Sequence, residues 1–160
     1  MGDSGDSEPL LPEGARPNGV GRSTQLLTTM LRHPAVSKVL RPLMVARGSY
    51  FPEAGNIGED VLFHHLGSGV ICRTNTVIGK RCEIYPGVIL GSASLGGRDR
   101  IPSNCRVVLE DDVIVGSGAY VLAKEEVVLG QGTVVAANSV LLNSTEPFSV
   151  WAGNPAIRIK

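Results

Sequence analysis

At 160 residues the chain has room for one domain of ordinary size and leaves none for a two-domain enzyme. Fifteen Lys and Arg balance fifteen Asp and Glu, so no global field draws in a nucleic acid backbone or an anionic membrane. Hydrophobic residues reach 42% while aromatics stay at 4% and Gly occurs 20 times; a core of Val, Ile, Leu and Ala with many sharp bends suits short strands and corners and excludes a helical bundle.

Residues 1–22 mix Pro, Gly and Ser with the acids Asp3, Asp6, Glu8 and Glu13, a composition that buries too little apolar surface to offset its ordering entropy, and they are expected to be a disordered tail. This start lacks the basic and then apolar pattern of a secretory signal, and no run approaches the roughly 18–20 apolar residues that span a bilayer, so a cytoplasmic protein without membrane contact is expected. Residues 23–55 read as a helical arm. Ser23 or Thr24 caps a helix that Pro34 interrupts, and a second helix from Pro34 is expected to end near Arg41-Pro42, with a further turn to Gly48. The arm's bases Arg32, Lys38, Arg41 and Arg47 face only Glu53 in this stretch, which suggests a solvated face on an element packed against the main domain or a neighbouring subunit.

From Asn56 aliphatic residues recur every six positions. Ile57 and Phe63 begin the series; Cys72, Ile78, Ile84 and Leu90 continue it, followed by Leu109, Val115, Val121 and then Leu129, Val135, Leu141. Four places after them stand the compact Val61, Thr76, Cys82, Val88, Val113, Ala119, Thr133 and Ser139, and Gly58, Gly79, Gly91, Gly116 and Gly130 directly follow the aliphatic position. A period of six is neither 3.6 nor two. Six residues per side and three sides per turn give a parallel β-helix of triangular section, of about four coils over residues 56–146, with a C-terminal segment 147–160. Extra residues leave such a coil at its corners, so residues 91–104 are expected to project as a loop and to carry functional groups. Cys72 and Cys82 fall on inward positions, where a thiol is an apolar filler.

Five stretches carry a family resemblance. Phe63-His64-His65 is similar to an aliphatic-Asp-His run, Val88-Ile89-Leu90-Gly91 to V-T-L-G, and Gly97-Arg98-Asp99-Arg100-Ile101-Pro102 to G-G-D-R-H-P. Val115-Gly116-Ser117-Gly118-Ala119 is similar to I-G-A-G-A, and Ala152-Gly153-Asn154-Pro155-Ala156 with Arg158 to A-G-V/N-P-A-R. Residues 56–160 thereby resemble the hexapeptide-repeat acyltransferases, nearest their serine acetyltransferase branch and its sugar O-acetyltransferase relatives. The resemblance implies a left-handed β-helix, a homotrimer, and acetyl-CoA lying between neighbouring coils, with no metal.

It also implies the site. His65 takes the place of the general base that removes the acceptor's hydroxyl proton, work suited to a neutral imidazole near pH 7. His64 replaces the family's Asp and is expected to orient the base, and Glu59, Asp60 or Asp99 is expected to supply the missing carboxylate. Asp99, Arg100 and Ile101 are the acceptor-binding candidates; the family's His is Ile101 here, which points to a sugar or another small alcohol before serine. Gly116, Ser117, Gly118, Ala119, Ala136 and Ala137 would admit a pantetheine arm, with Arg158 and Lys160 at the phosphates. The expected activity is direct acetyl transfer to a small-molecule hydroxyl in a ternary complex. Serine O-acetylation is the alternative, and an inactive trimeric scaffold the further one.

Overall fold

The computed structural model describes residues 22–94 and 104–160, so all of the expected tail but Arg22, and most of the projecting loop, including Asp99, Arg100 and Ile101, lie outside the described residues. Two helices open the described chain, α1 (Arg22–Arg32) and α2 (Pro34–Ala46). Pro34 at the first turn suits its fixed φ and missing N–H. The second helix does not stop at Arg41-Pro42 but runs through Pro42 to Ala46. What holds its last turn is packing and capping: Met44 is buried, Gly48 sits at φ 78, Ser49 N–H bonds Met44 O, and Gly48 N–H bonds Val45 O. This cap satisfies terminal carbonyls of the helix, while Pro42, which has no N–H, removes the helical donor only from the carbonyl of Lys38.

The arm closes the top of the β domain. Leu27 and Leu31 of α1 are buried, Thr28 Oγ1 donates to Val61 O at 2.5 Å, and Phe51 meets Phe63 edge-on with ring centroids 4.8 Å apart. Arg41, expected on a solvated face, instead donates to the main-chain oxygens of Phe51 and Pro52 and pins the arm to the first coil.

The strands are β1 (Leu62–Phe63), β2 (Ile71–Cys72), β3 (Val77–Ile78), β4 (Glu83–Ile84), β5 (Ile89–Ser92), β6 (Arg106–Leu109), β7 (Ile114–Val115), β8 (Tyr120–Ala123), β9 (Glu126–Leu129), β10 (Val134–Val135), β11 (Val140–Leu141), β12 (Val150–Gly153) and β13 (Ala156–Arg158). Each pairs in parallel with the strand one turn on, giving three walls: β1-β4-β7-β10-β12, β2-β5-β8-β11 and β3-β6-β9. Only β13 returns antiparallel, folding back on β12 at the bottom edge. Isolated bridges Tyr50–Ile71, Ile57–Ile78 and Leu129–Thr145 extend the walls, so the coil reaches up to Tyr50 and down through Gly153, past both ends of the expected 56–146.

Every aliphatic repeat position from Ile57 to Leu141 is at most 3% exposed, as are all eight compact residues four places later. The three extra residues after Phe63 leave at a corner as a 3-10 turn, His64–Gly67. The two extra after Val121 do not; they lengthen β8 and β9 to four residues each, matched by β5 and β6 one turn up. Corner glycines are dictated by the next coil: a Cβ on Gly58 would lie 2.5 Å from the carbonyl of Gly79, and one on Gly116 2.7 Å from the N of Ala137. Among the described residues no helix is long and apolar enough to cross a membrane.

Candidate active site

Register arithmetic brings three groups to one edge of the prism. Phe63 pairs with Ile84, so the residue after each, His64 and Tyr85, stand one above the other on the outside of the first wall, where it turns toward the second. Their rings stack with centroids 4.0 Å apart and planes 18° from parallel. Glu83, two residues before Tyr85 on the same outer face, reaches diagonally so that its Oε2 lies 3.0 Å from His64 Nε2. Side-chain exposure is 17% for His64 and 16% for Glu83, low enough to keep solvent from screening the pair strongly.

Tyr85 is bonded to the same carboxylate. Burial first, then the Glu83 charge and the Glu83 hydrogen bond, hold its phenol above the ordinary value, so it stays a protonated donor at neutral pH. His64 therefore has one ring nitrogen committed to a carboxylate, one face covered by a phenol, and Nδ1 as its second nitrogen. This is the arrangement of an imidazole fixed in tautomer and tilt.

His65 is placed differently. Its side chain is exposed, its backbone is left-handed at φ 52, ψ 40, and Leu66 follows at φ 58, ψ 29. Among the described residues its ring has no hydrogen-bond partner. Of the expected orienting acids, Asp99 lies outside the described residues, Glu59 lies 3.9 Å from Arg32 and 3.8 Å from Lys80, and Asp60 lies beside it at the corner before the first wall. Glu83 is the carboxylate that sequence reasoning missed. The signal was available, since adding the three inserted residues to one turn of eighteen puts Ile84 directly beneath Phe63.

Below Tyr85 the same outer position is filled by Gly116, then Ala136, then Ala152, as the pairings Ile84–Val115, Val135–Val115 and Val135–Trp151 require. The edge thus runs four strand spacings down from His64, roughly 19 Å at the ~4.8 Å spacing of parallel strands, with slim residues at its lower three levels. Ser117, Gly118 and Ala137 border this column at the corner, with Gly118 at φ 67. Ala119 does not: it is fully buried inside the coil and contacts no groove. Arg158 and Lys160 stand at the lower end. Arg158 is exposed, with Nη1 3.4 Å from Glu146 Oε2 and its Nε donating to Lys160 O.

The cysteines are excluded as nucleophiles by burial. It pushes the thiols of Cys72 and Cys82 up to about 12, and Cys105, buried at the loop's end, donates to Ala123 O. No group of three metal-ligating side chains gathers among the described residues.

A scan against models of known protein families finds no match. Serine acetyltransferase 4 of Arabidopsis thaliana is 35% identical over 103 residues, covering 64% of this chain and 27% of that protein. A 2,3,4,5-tetrahydropyridine-2,6-dicarboxylate N-acetyltransferase of Bacillus velezensis is 45% identical over 83 residues, 52% of this chain and 32% of that one. The soybean serine acetyltransferase apoenzyme structure aligns with a TM-score of 0.62 at 27% identity, covering 88% of this chain and 55% of that one. The chain's relatives are thus serine acetyltransferases and other hexapeptide-repeat acyltransferases, its coil is their left-handed β-helix, and it spans about a third of the length of the curated relatives it matches.

Proposed function

We propose that the chain is an acetyl-CoA-dependent O-acetyltransferase that works as a homotrimer and acetylates the hydroxyl of a small molecule, serine before a sugar. The observation that carries this reading is the His64–Glu83–Tyr85 cluster standing at the head of a column of slim residues, Gly116, Ala136 and Ala152. A thioester arm laid along that column would bring its carbonyl to the histidine corner, with Arg158 and Lys160 at the far end to meet phosphates as charge-assisted donors. The corner imidazoles supply the base, and holding both reactants there replaces a bimolecular encounter by an oriented one.

The aliphatic Ile101 favoured a sugar in the sequence; the names of the relatives favour serine, and Asp99 and Arg100 suit a zwitterionic acceptor. Acetyl-CoA-dependent thiol release by the purified protein, with serine and a panel of sugars, tests the reading. Release is expected with serine, and the double variant His64→Ala/His65→Ala should lower turnover by about 10²- to 10⁴-fold while acetyl-CoA still binds. Absence of both release and acetyl-CoA binding would instead mark an inactive β-helical scaffold.

A further inference from the structure

We infer that His64, rather than its neighbour His65, accepts the hydroxyl proton, and that Glu83, a carboxylate from the next coil, is its positioning residue; this rests on the acetyl-transfer reading above. Three observations carry it. The 3.0 Å contact between Glu83 Oε2 and His64 Nε2 favours the tautomer with its proton on Nε2, which leaves the lone pair on Nδ1. The stacked Tyr85 ring stops the imidazole from tilting, and its phenol holds Glu83 in turn. His65, exposed on left-handed backbone, has no such constraint on its ring among the described residues.

The chemistry closes without a further reactant. As the acceptor oxygen bonds to the thioester carbon, its proton passes to Nδ1, and the imidazolium so formed faces the Glu83 carboxylate. When the carbon–sulfur bond breaks, Nδ1–H returns the proton to the departing thiolate, giving the O-acetyl product and free CoA thiol. Glu83 does not touch the reacting atoms; it fixes the tautomer and stabilises the charged ring, the role of an orienting acid behind a histidine.

The test pairs kinetics with a spectrum. Glu83→Gln preserves volume, so it keeps the fold, but its amide donates to Nε2 as readily as it accepts. It should lower kcat by about tenfold or more with KM for acetyl-CoA within about twofold, and His64→Ala should cost more turnover than His65→Ala. In ¹⁵N spectra of the wild type at neutral pH the His64 ring should show a fixed Nε2–H form, lost in Glu83→Gln. A protein that transfers acetyl groups with undiminished kcat in Glu83→Gln, or that depends more on His65 than on His64, overturns this inference alone. A wild type that releases no thiol with any acceptor overturns the function as well, and the ¹⁵N spectrum then still reports whether Glu83 holds the ring.

Discussion

His65 and Leu66 each take up left-handed backbone, at φ 52 and φ 58, a conformation that costs a residue with a Cβ about 1 kcal/mol or more. Neither glycine nor asparagine, which relieve that strain, stands at either position; other corners place Gly87, Gly118 and Asn138 there, but also Arg81 and Phe148 at φ 56 and 57. Replacing His65 by Gly should therefore raise thermal stability by about 0.5–1 kcal/mol, a few degrees in Tm, and slow acetyl transfer at the same time. Calorimetry beside the thiol assay checks both, and a fall in Tm would show that the ring packs in a way its exposure conceals. At this scale the histidine pair was legible from its motif. Glu83 was not, because its meeting with His64 depends on where three inserted residues leave the coil.

Walls and helices show the same division. The six-residue period identified the buried aliphatic and compact series from Ile57 to Leu141, because a prism this narrow admits only such side chains, but it passed over the equally buried Val70, Val107, Ala123 and Val127. It did not show that two extra residues widen a wall instead of leaving it, a choice made by pairing with the turn above. Nor did the first coil announce itself, since its upper walls are the single bridging residues Tyr50 and Ile57. The second helix was cut short for a local reason: proline removes a helical hydrogen bond and crowds the preceding turn, and tertiary burial of Met44 with the cap at Gly48 outweighs that. Pro42 is exposed, so its ring is not compensated by core contacts. Pro42→Ala should stabilise the protein by about 1–3 kcal/mol, read as a higher denaturant midpoint at unchanged m value. A lower midpoint would mean that Pro42 stiffens the unfolded chain more than it disturbs the helix.

The whole molecule has two different faces beside its histidine edge. On one side lies the slim column headed by His64. On the other, the second wall turns outward Tyr50, Ile71, Ile89, Tyr120 and Val140 in one unbroken apolar row, with Tyr50, Ile71 and Tyr120 between 40% and 44% exposed in the single chain. Parallel coils cannot hide an outer row by twisting it away, and a row of this kind calls for cover. A heterologous contact, the apolar wall of one copy against the edge of the next, closes after three steps if each step turns by a third, which is the trimer proposed above. It would also set the base of residues 91–104 of one copy near the histidines of another, where acceptor contacts are expected. Tyr120→Lys tests this because Tyr120 lies on β8, two levels below His64, and contributes nothing to its ring. The variant should keep the far-UV spectrum of the β-helix, sediment as a monomer and lose acetyl transfer. Sedimentation as a trimer with normal turnover would place the subunit contact on another wall and leave the apolar row without that role.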